Sequence, residues 1–418
     1  MLLLSLVACG GNAATSLDSG RADASLASRD AAHADAALID AALIDAAPPA
    51  DAAPVDAPQP AAARQLALGD NFSCLRATDG QLRCWGSNTY GQLGDGTTTT
   101  RLTPTPVLGG PFVQISAGEY FACGVTAAGA ALCWGGNDHG QLGDGTTTDR
   151  TTPVAVVGLD HGVRAIAAGG WNTCALLDDA TLRCWGDNAY GQVGDGTQVA
   201  RLTPVAVSGL TGQVAVAVMG PHACALGAAG DVTCWGWAYF GELGDGRNGP
   251  TEVSLVPTAV VAPVAASTQL ALGQAYTCAT TSTGRIQCWG DNTYGQLGDL
   301  TRVNSAHPLL VRDVLAPRDL AAASATTCAV LPDATATCWG SDIDGELGNG
   351  TFGAGAYSLT PVAVQGIVGG VRELAGGGSH VCALTDAGRV FCWGYGFMGE
   401  LGDGFKLRRT TAVEVVGL

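Results

Sequence analysis

From residue 64 onward, apolar and polar positions alternate in short runs, and the runs return with a period near 50 residues. The clearest run reads C-L-R-A-T-D-G-Q-L-R-C-W from Cys74 to Trp85, two alternating arms about the turn Thr78-Asp79-Gly80. That pattern predicts a β-hairpin. It occurs seven times, with paired cysteines at Cys74 and Cys84, Cys123 and Cys133, Cys174 and Cys184, Cys224 and Cys234, Cys278 and Cys288, Cys328 and Cys338, Cys382 and Cys392. Every second cysteine is followed by Trp-Gly. Gly80, Gly129, Gly230, Gly284 and Gly388 supply the positive φ that a three-residue hairpin loop needs. Ala180 and Ala334 occupy that place in the other two copies, so those turns are expected to be strained or different.

Residues in phase with the cysteines are mostly apolar, and the residue after the first cysteine is usually small, as at Gly124, Ala175 and Ala225. Such a strand is buried on both faces. Each period holds two further strand candidates. One is a Pro-Val segment (Pro153-Val154, Pro204-Val205, Pro361-Val362), and the other ends in Ala-Gly, as in Gln114-Ile115-Ser116-Ala117-Gly118. Four short strands repeated seven times predict an all-β fold, a seven-bladed β-propeller with four-stranded blades. The array begins on the Ala-Gly type of strand at Gln65 and finishes on the Pro-Val type at Ala412-Val413. The expectation is therefore that the C-terminal strand pairs with the first blade and closes the ring.

Two cysteines centred on one hairpin turn lie opposite each other, within reach of a cross-strand disulfide. Closing so short a loop would stabilise each hairpin by about 2.5 kcal/mol on the chain-entropy view. Seven regular pairs argue for an oxidising compartment, the rivals being free thiols or zinc, for which this spacing is poor. Lys and Arg total 20 against 37 Asp and Glu, a net charge of -17. That balance excludes nucleic acid as a partner. No run of eighteen or more apolar residues occurs, so no membrane span is expected.

The start, Met1-Leu-Leu-Leu-Ser-Leu-Val-Ala-Cys9, resembles the end of a bacterial lipoprotein signal peptide, with Leu6-Val7-Ala8-Cys9 matching the lipobox. It departs in lacking a basic n-region and in an apolar run of only seven residues. The resemblance implies lipidation of Cys9, the one cysteine outside the hairpins, and anchoring to an outer membrane or cell surface. Residues 10–63 are Ala, Asp and Pro in near-repetition, with Asp30, Asp35, Asp40 and Asp45 five apart. They read as a disordered tether. The domains are thus 1–9, a signal-like segment; 10–63, a linker; and 64–418, the propeller.

The run Cys84-Trp85-Gly86-Ser87-Asn88-Thr89-Tyr90-Gly91-Gln92-Leu93-Gly94-Asp95-Gly96-Thr97 resembles the regulator of chromosome condensation repeat. Trp134-Gly135 with Gly140-Gln141-Leu142-Gly143-Asp144-Gly145 is similar, as are Trp185-Gly186 and Trp289-Gly290 with their sequels. The resemblance covers residues 64–418 and implies the same seven-bladed ring. Blades four, six and seven depart from it, carrying Ala238, Asp342 and Gly396 in place of the Asn. The nucleotide-exchange activity of the family's founder does not carry over to an acidic chain of this kind. Secreted bacterial β-lactamase inhibitor proteins resemble the same propeller and bind a partner through one face, which is the mode of action expected here.

Catalytic groups are scarce, and neither a phosphate loop nor a nucleophile elbow is present. The Asp of Gly-Asp-Gly (Asp95, Asp144, Asp195, Asp245, Asp299, Asp403) reads as a turn residue whose side chain caps backbone amides. His222 and His380 share one repeat position with Phe72, Phe121, Asn172 and Tyr276, which suits packing or a loop hydrogen bond better than catalysis. Trp171 and Trp237 lie outside the Trp-Gly pattern. Phe72, Tyr120, Phe121, Trp171, Asn172, His222, Trp237, Tyr276 and His380 are therefore the candidate binding-loop residues, on bends gathered at one end of the ring, with simple packing between blades as the alternative. A second candidate surface is the longer segment after the Gly-Asp-Gly turn, at 247–256 and 352–359. The expected function is a monomeric, lipid-anchored interaction module for a protein partner, neither enzyme nor metal- or cofactor-dependent, touching the membrane only through its lipid. Cell-wall polysaccharide binding is the alternative, and a hydrolase with a site in the channel comes last.

Overall fold

The computed structural model describes residues 63–261 and 265–418, so the signal-like segment and the tether lie outside the described residues. Among the described residues, twenty-eight strands form seven separate four-stranded antiparallel sheets. The first blade contains β1 (Ala63–Leu68), β2 (Phe72–Ala77), β3 (Leu82–Gly86) and β4 (Arg101–Pro106), paired in chain order. The others repeat it over 112–155, 163–206, 213–259, 267–310, 319–363 and 371–414. The first strands of neighbouring blades touch around the ring, so that strand is innermost and the Pro-Val strand is the outer edge.

Ring closure differs from the expectation. The C-terminal strand Arg409–Glu414 pairs with Val390–Gly394 of its own hairpin and not with the first blade. The physical reason is the phase of the repeat. A blade begins on the Ala-Gly strand and ends on the Pro-Val strand, so the first blade lacks nothing that the C-terminus must supply. Blades 7 and 1 join instead through side chains and loops. Glu373 Oε1 accepts the Leu66 N–H at 2.9 Å, Trp85 Nε1 donates to the Glu400 carbonyl at 2.8 Å, and the Gly378 N–H donates to the Gly69 carbonyl at 3.2 Å. Beneath them, Leu66, Leu68 and Trp85 pack with Leu384, Val390 and Leu401.

The same joints recur elsewhere. Each Trp of a Trp-Gly pair is buried and donates from Nε1 to a backbone carbonyl of the preceding blade, as Trp134 does to Gln92 at 3.0 Å and Trp185 to Gln141 at 2.9 Å. The register of the outer strand pair slips at this residue, between Cys84 and Gly86 in blade 1. On the inner strands, Gln65 clamps the backbone of Ile115 with both ends of its amide, and Gln114 does the same to Ile166. Blades 3 and 4 carry Ala165 and Ala215 at that position and have no such clamp.

All seven cysteine pairs are cross-strand disulfides, and the Cα atoms of Cys74 and Cys84 are 4.1 Å apart. They lie in the buried layers between blades. Ala180 and Ala334 adopt φ of 61° and 65°, so their turns keep the shape of the glycine turns and hold it in strain. The outer strands of six blades carry Pro104, Pro153, Pro204, Pro257, Pro308 and Pro361, residues with no N–H to offer at an open edge. Blade 7 has Ala412 there, and its N–H donates to the Gln365 carbonyl of blade 6 at 2.9 Å.

Candidate functional site

Two connections meet at one end of every blade: the bend between the first and second strands, and the long loop between the third and fourth. They are joined by a backbone hydrogen bond in each copy, such as Ser87 N–H to the Asn71 carbonyl at 2.8 Å and Asp187 N–H to the Trp171 carbonyl at 2.9 Å. The long loops also reach sideways, with Gly96 N–H donating to Thr151 of blade 2 at 2.9 Å. Gly94 is needed where that crossing is tightest, since its φ is +66° and a Cβ would stand 2.7 Å from Trp134 Nε1.

In blades 1, 2, 3 and 5 a buried Asn holds this loop from inside. Asn188 Nδ2 donates to the Thr197 and Val199 carbonyls, both at 3.0 Å, while its Oδ1 accepts the Val193 N–H at 3.0 Å. Asp195 accepts the Thr197 N–H at 2.9 Å, the capping role read from the sequence, and pairs with Arg201 as well. Burial raises the affinity of the Asp195 carboxyl for its proton, but hydrogen bonds from Thr197 and Arg201 outweigh this and hold it below the ordinary Asp range. Arg101 and Asp95, Arg150 and Asp144, and Arg409 and Asp403 form the same pair. The arginine was not singled out from the sequence, although its place six residues after the Asp is a readable signal.

A buried Gln two residues after the loop aromatic completes the regular form. Gln192 accepts the Tyr190 N–H at 2.9 Å and donates to Asp187 Oδ2 at 2.8 Å. Blades 4, 6 and 7 replace it with Glu242, Glu346 and Glu400, all buried. Each accepts the N–H two residues before it, and the second oxygen of Glu242 and of Glu400 has no hydrogen-bond partner. Burial pushes Glu242 and Glu400 up to about 8. Glu346 is raised as well, by burial and then by Asp344. These carboxyls hold their protons at neutral pH.

The structure divides the candidate residues in two. Phe72, Phe121, Asn172, His222, Tyr276 and His380 are buried at the first position of second strands, which corrects their assignment to exposed loops. They stand two residues before a cysteine, so period two turns them inward with it. His380 Nε2 lies 2.8 Å from Ser73 Oγ, and His222 Nε2 lies 3.0 Å from Thr277 Oγ1. Both hydroxyls spend their own proton on a carbonyl, so each imidazole donates from Nε2. Burial holds both histidines down at about 3.

Tyr120, Trp171 and Trp237 do reach the face, and each meets an aromatic ring of the long loops. Tyr90 of blade 1 lies against Tyr120 of blade 2, with ring centres 5.3 Å apart. His139 of blade 2 stacks on Trp171 of blade 3 at 4.8 Å, 8° from parallel. Tyr190 of blade 3 lies 5.1 Å from Trp237 of blade 4, which in turn touches Tyr239 and Phe240. Tyr90, Trp171 and Tyr239 are 38%, 38% and 39% exposed, so solvent reaches rings of this arc on blades 1, 3 and 4. The loop members of the arc were missed, although Tyr90, His139, Tyr190 and Phe240 stand five residues after each Trp of the repeat.

Comparison with known proteins identifies the repeat. Residues 63–92, 112–141, 163–192, 268–296 and 371–400 match one form of the regulator of chromosome condensation (RCC1) repeat, and 79–125, 128–176 and 182–226 match another. The ultraviolet-B receptor UVR8 of Arabidopsis thaliana is 32% identical over 348 residues, covering 83% of this chain and 56% of the receptor. The human E3 ubiquitin-protein ligase HERC2 is 29% identical over 251 residues, 60% of this chain and 4% of the ligase. The chain thus spans about half of the first relative and a small part of the second. Among solved structures, human WBSCR16 superposes with a TM-score of 0.71 at 21% identity, covering 81% of this chain and 94% of that one. Prp20p from Saccharomyces cerevisiae gives 0.70 at 20% identity, covering 84% and 86%. At these identities the superpositions speak for the fold.

Proposed function

The chain belongs to the regulator of chromosome condensation (RCC1) repeat family, and from that premise we propose that it is an extracytoplasmic binding module. It recognises a protein partner through the loop face of its propeller, without turnover. The observation that carries this reading is the aromatic arc on blades 1 to 4, a set of rings in part open to solvent on loops fixed by buried side chains. Large rings held rigidly at a surface are what interface anchors require. The relatives support a binding role in their own settings: UVR8 is a receptor, and Prp20p has been described with binding to Gsp1p and histones.

Seven disulfides support placement in an oxidising compartment. The Leu6-Val7-Ala8-Cys9 motif supports a lipid anchor at Cys9, with the acidic segment 10–63 as spacer. Two experiments test the reading. Chemical cross-linking on intact cells, followed by affinity capture of the full chain, recovers a protein whose yield falls about tenfold when Trp171→Ala and Trp237→Ala are combined. Recovery of peptidoglycan or polysaccharide with no protein overturns it. Cys9→Ser shifts the chain from the membrane fraction to the soluble one, and an unchanged distribution removes the anchor.

A further inference from the structure

The rings on the two sides of the loop face have different company. In blades 5 to 7 the chain lays arginines over several of its own aromatics. Arg302 lies over Tyr357 at 4.6 Å, Arg408 lies over Phe352 at 4.5 Å and near Phe397 at 5.7 Å, and Arg409 lies over Phe405 at 5.5 Å. In blades 1 to 4, among the described residues, no arginine lies over Tyr90, Trp171, Tyr190, Trp237 or Tyr239. The arginines of those loops, Arg101, Arg150, Arg201 and Arg247, pair with the Asp of their own turn.

The carboxylates around the arc point the same way. Glu119 adjoins Tyr120, exposed Asp138 adjoins His139, and Asp187 Oδ1 stands 3.9 Å from His139 Nδ1. The arc therefore combines partly exposed rings with negative charge, the surroundings that favour a guanidinium group. The chain's own tether is unsuited to fill it, because Asp30, Asp35, Asp40 and Asp45 give that segment the same sign as the face.

The geometry points to an arginine-bearing segment of the partner protein as the occupant of the arc on blades 1 to 4. Its side chains lie over Trp171, Trp237 and Tyr239 as Arg302 and Arg408 lie over Tyr357 and Phe352. This rests on the protein-partner reading and adds the chemistry of what is recognised.

The test uses the full chain and a fluorescein-labelled oligo-arginine peptide, with oligo-glutamate and a chitin oligosaccharide as alternative probes, read by anisotropy. Trp171→Ala and Tyr239→Ala leave the net charge and the tether unchanged. Both sites are partly exposed, and thermal melting checks that the fold persists. Each substitution is expected to weaken the arginine peptide about tenfold. Equal binding by wild type and both variants means that bulk charge holds the peptide, and the inference falls. It falls equally if oligo-glutamate or the oligosaccharide binds with the Trp171 and Tyr239 dependence. The two readings separate cleanly. If Trp171→Ala with Trp237→Ala still abolishes capture of a protein while the arginine peptide ignores the arc, the inference fails and the protein-partner reading stands.

Discussion

In blades 1, 2, 3 and 5 the long loop is pinned from within by one buried Asn, whereas in blades 4 and 7 backbone fills that place and in blade 6 a buried Asp takes it. In blade 4 the Ala238 N–H donates to the Glu252 carbonyl, reached by a longer segment. In blade 6 the Asp342 carboxylate accepts the Leu347 N–H at 3.2 Å and the Thr351 hydroxyl, while its backbone bonds to Ala356 and Gly353. In blade 7 a Cβ on Gly396 would meet the Leu407 carbonyl at 2.0 Å, so backbone occupies the space of the Asn side chain. The same three blades exchange the buried Gln for Glu. The residue five before it is Asp187 or Asp291 in blades 3 and 5 and accepts from the Gln amide. Trp237, Ser341 or Tyr395 replaces it in the blades with Glu, while blades 1 and 2 keep the Gln with Ser87 and Gly136 at that position. Blades 4, 6 and 7 thus change at the Asn and the Gln positions together.

The sharpest way to break this comparison is pH. Glu242 and Glu400 keep their protons up to about 8, while in the unfolded chain they ionise near 4.5. The folded state binds more protons across that window, so stability falls as pH rises through it. His222 and His380 act oppositely: the unfolded chain protonates them below 6.5, the fold only near 3, so stability falls as pH drops through that range. Urea unfolding is expected to show greatest stability at mildly acidic pH. Changing Glu242, Glu346 and Glu400 together to Gln moves the maximum upward and flattens the alkaline fall; an unmoved maximum shows that these carboxyls are ionised in the fold.

Substituting Asn188→Ala in a regular blade leaves the Val193 N–H and two carbonyls without their partner and is expected to cost about 1–3 kcal/mol. A cost below about 0.5 kcal/mol by denaturant titration would show that the Asn is dispensable even where it is present. Ala180→Gly and Ala334→Gly relieve positive φ and should each stabilise by about 1 kcal/mol, in a regular and an irregular blade alike. Smallest is Arg201→Met, which opens a pair whose arginine is one-third exposed; about 0.5 kcal/mol is expected, shrinking with added salt.

The blade count, the four strands and the cysteine pairing were legible because each is written seven times and period two fixes which residues face inward. The closure was misjudged because a repeat has no intrinsic starting point: nothing local in Pro153-Val154 or Gln114-Ile115 says which strand is innermost. The aromatic arc was half legible. Trp171 and Trp237 stood out by breaking the pattern, while Tyr90 and Tyr190 were hidden by fitting it. Pairs between blades, such as Tyr190 with Trp237, depend on the turn from one sheet to the next and have no signature within a single period.

Since each blade is a single uninterrupted stretch of chain and the last joins the first by side chains and loop contacts, the covalent gap falls between modules and not inside one. Moving that gap to any other junction would leave all seven sheets and all seven disulfides intact. A gene for residues 63–418 circularly permuted to open between blades 3 and 4, with Leu418 joined to Ala63 through a short linker, should therefore yield the same ring. The ring's origin is in this sense a convention of the reading frame, and gain or loss of a whole unit by duplication or deletion requires no rewriting of the termini.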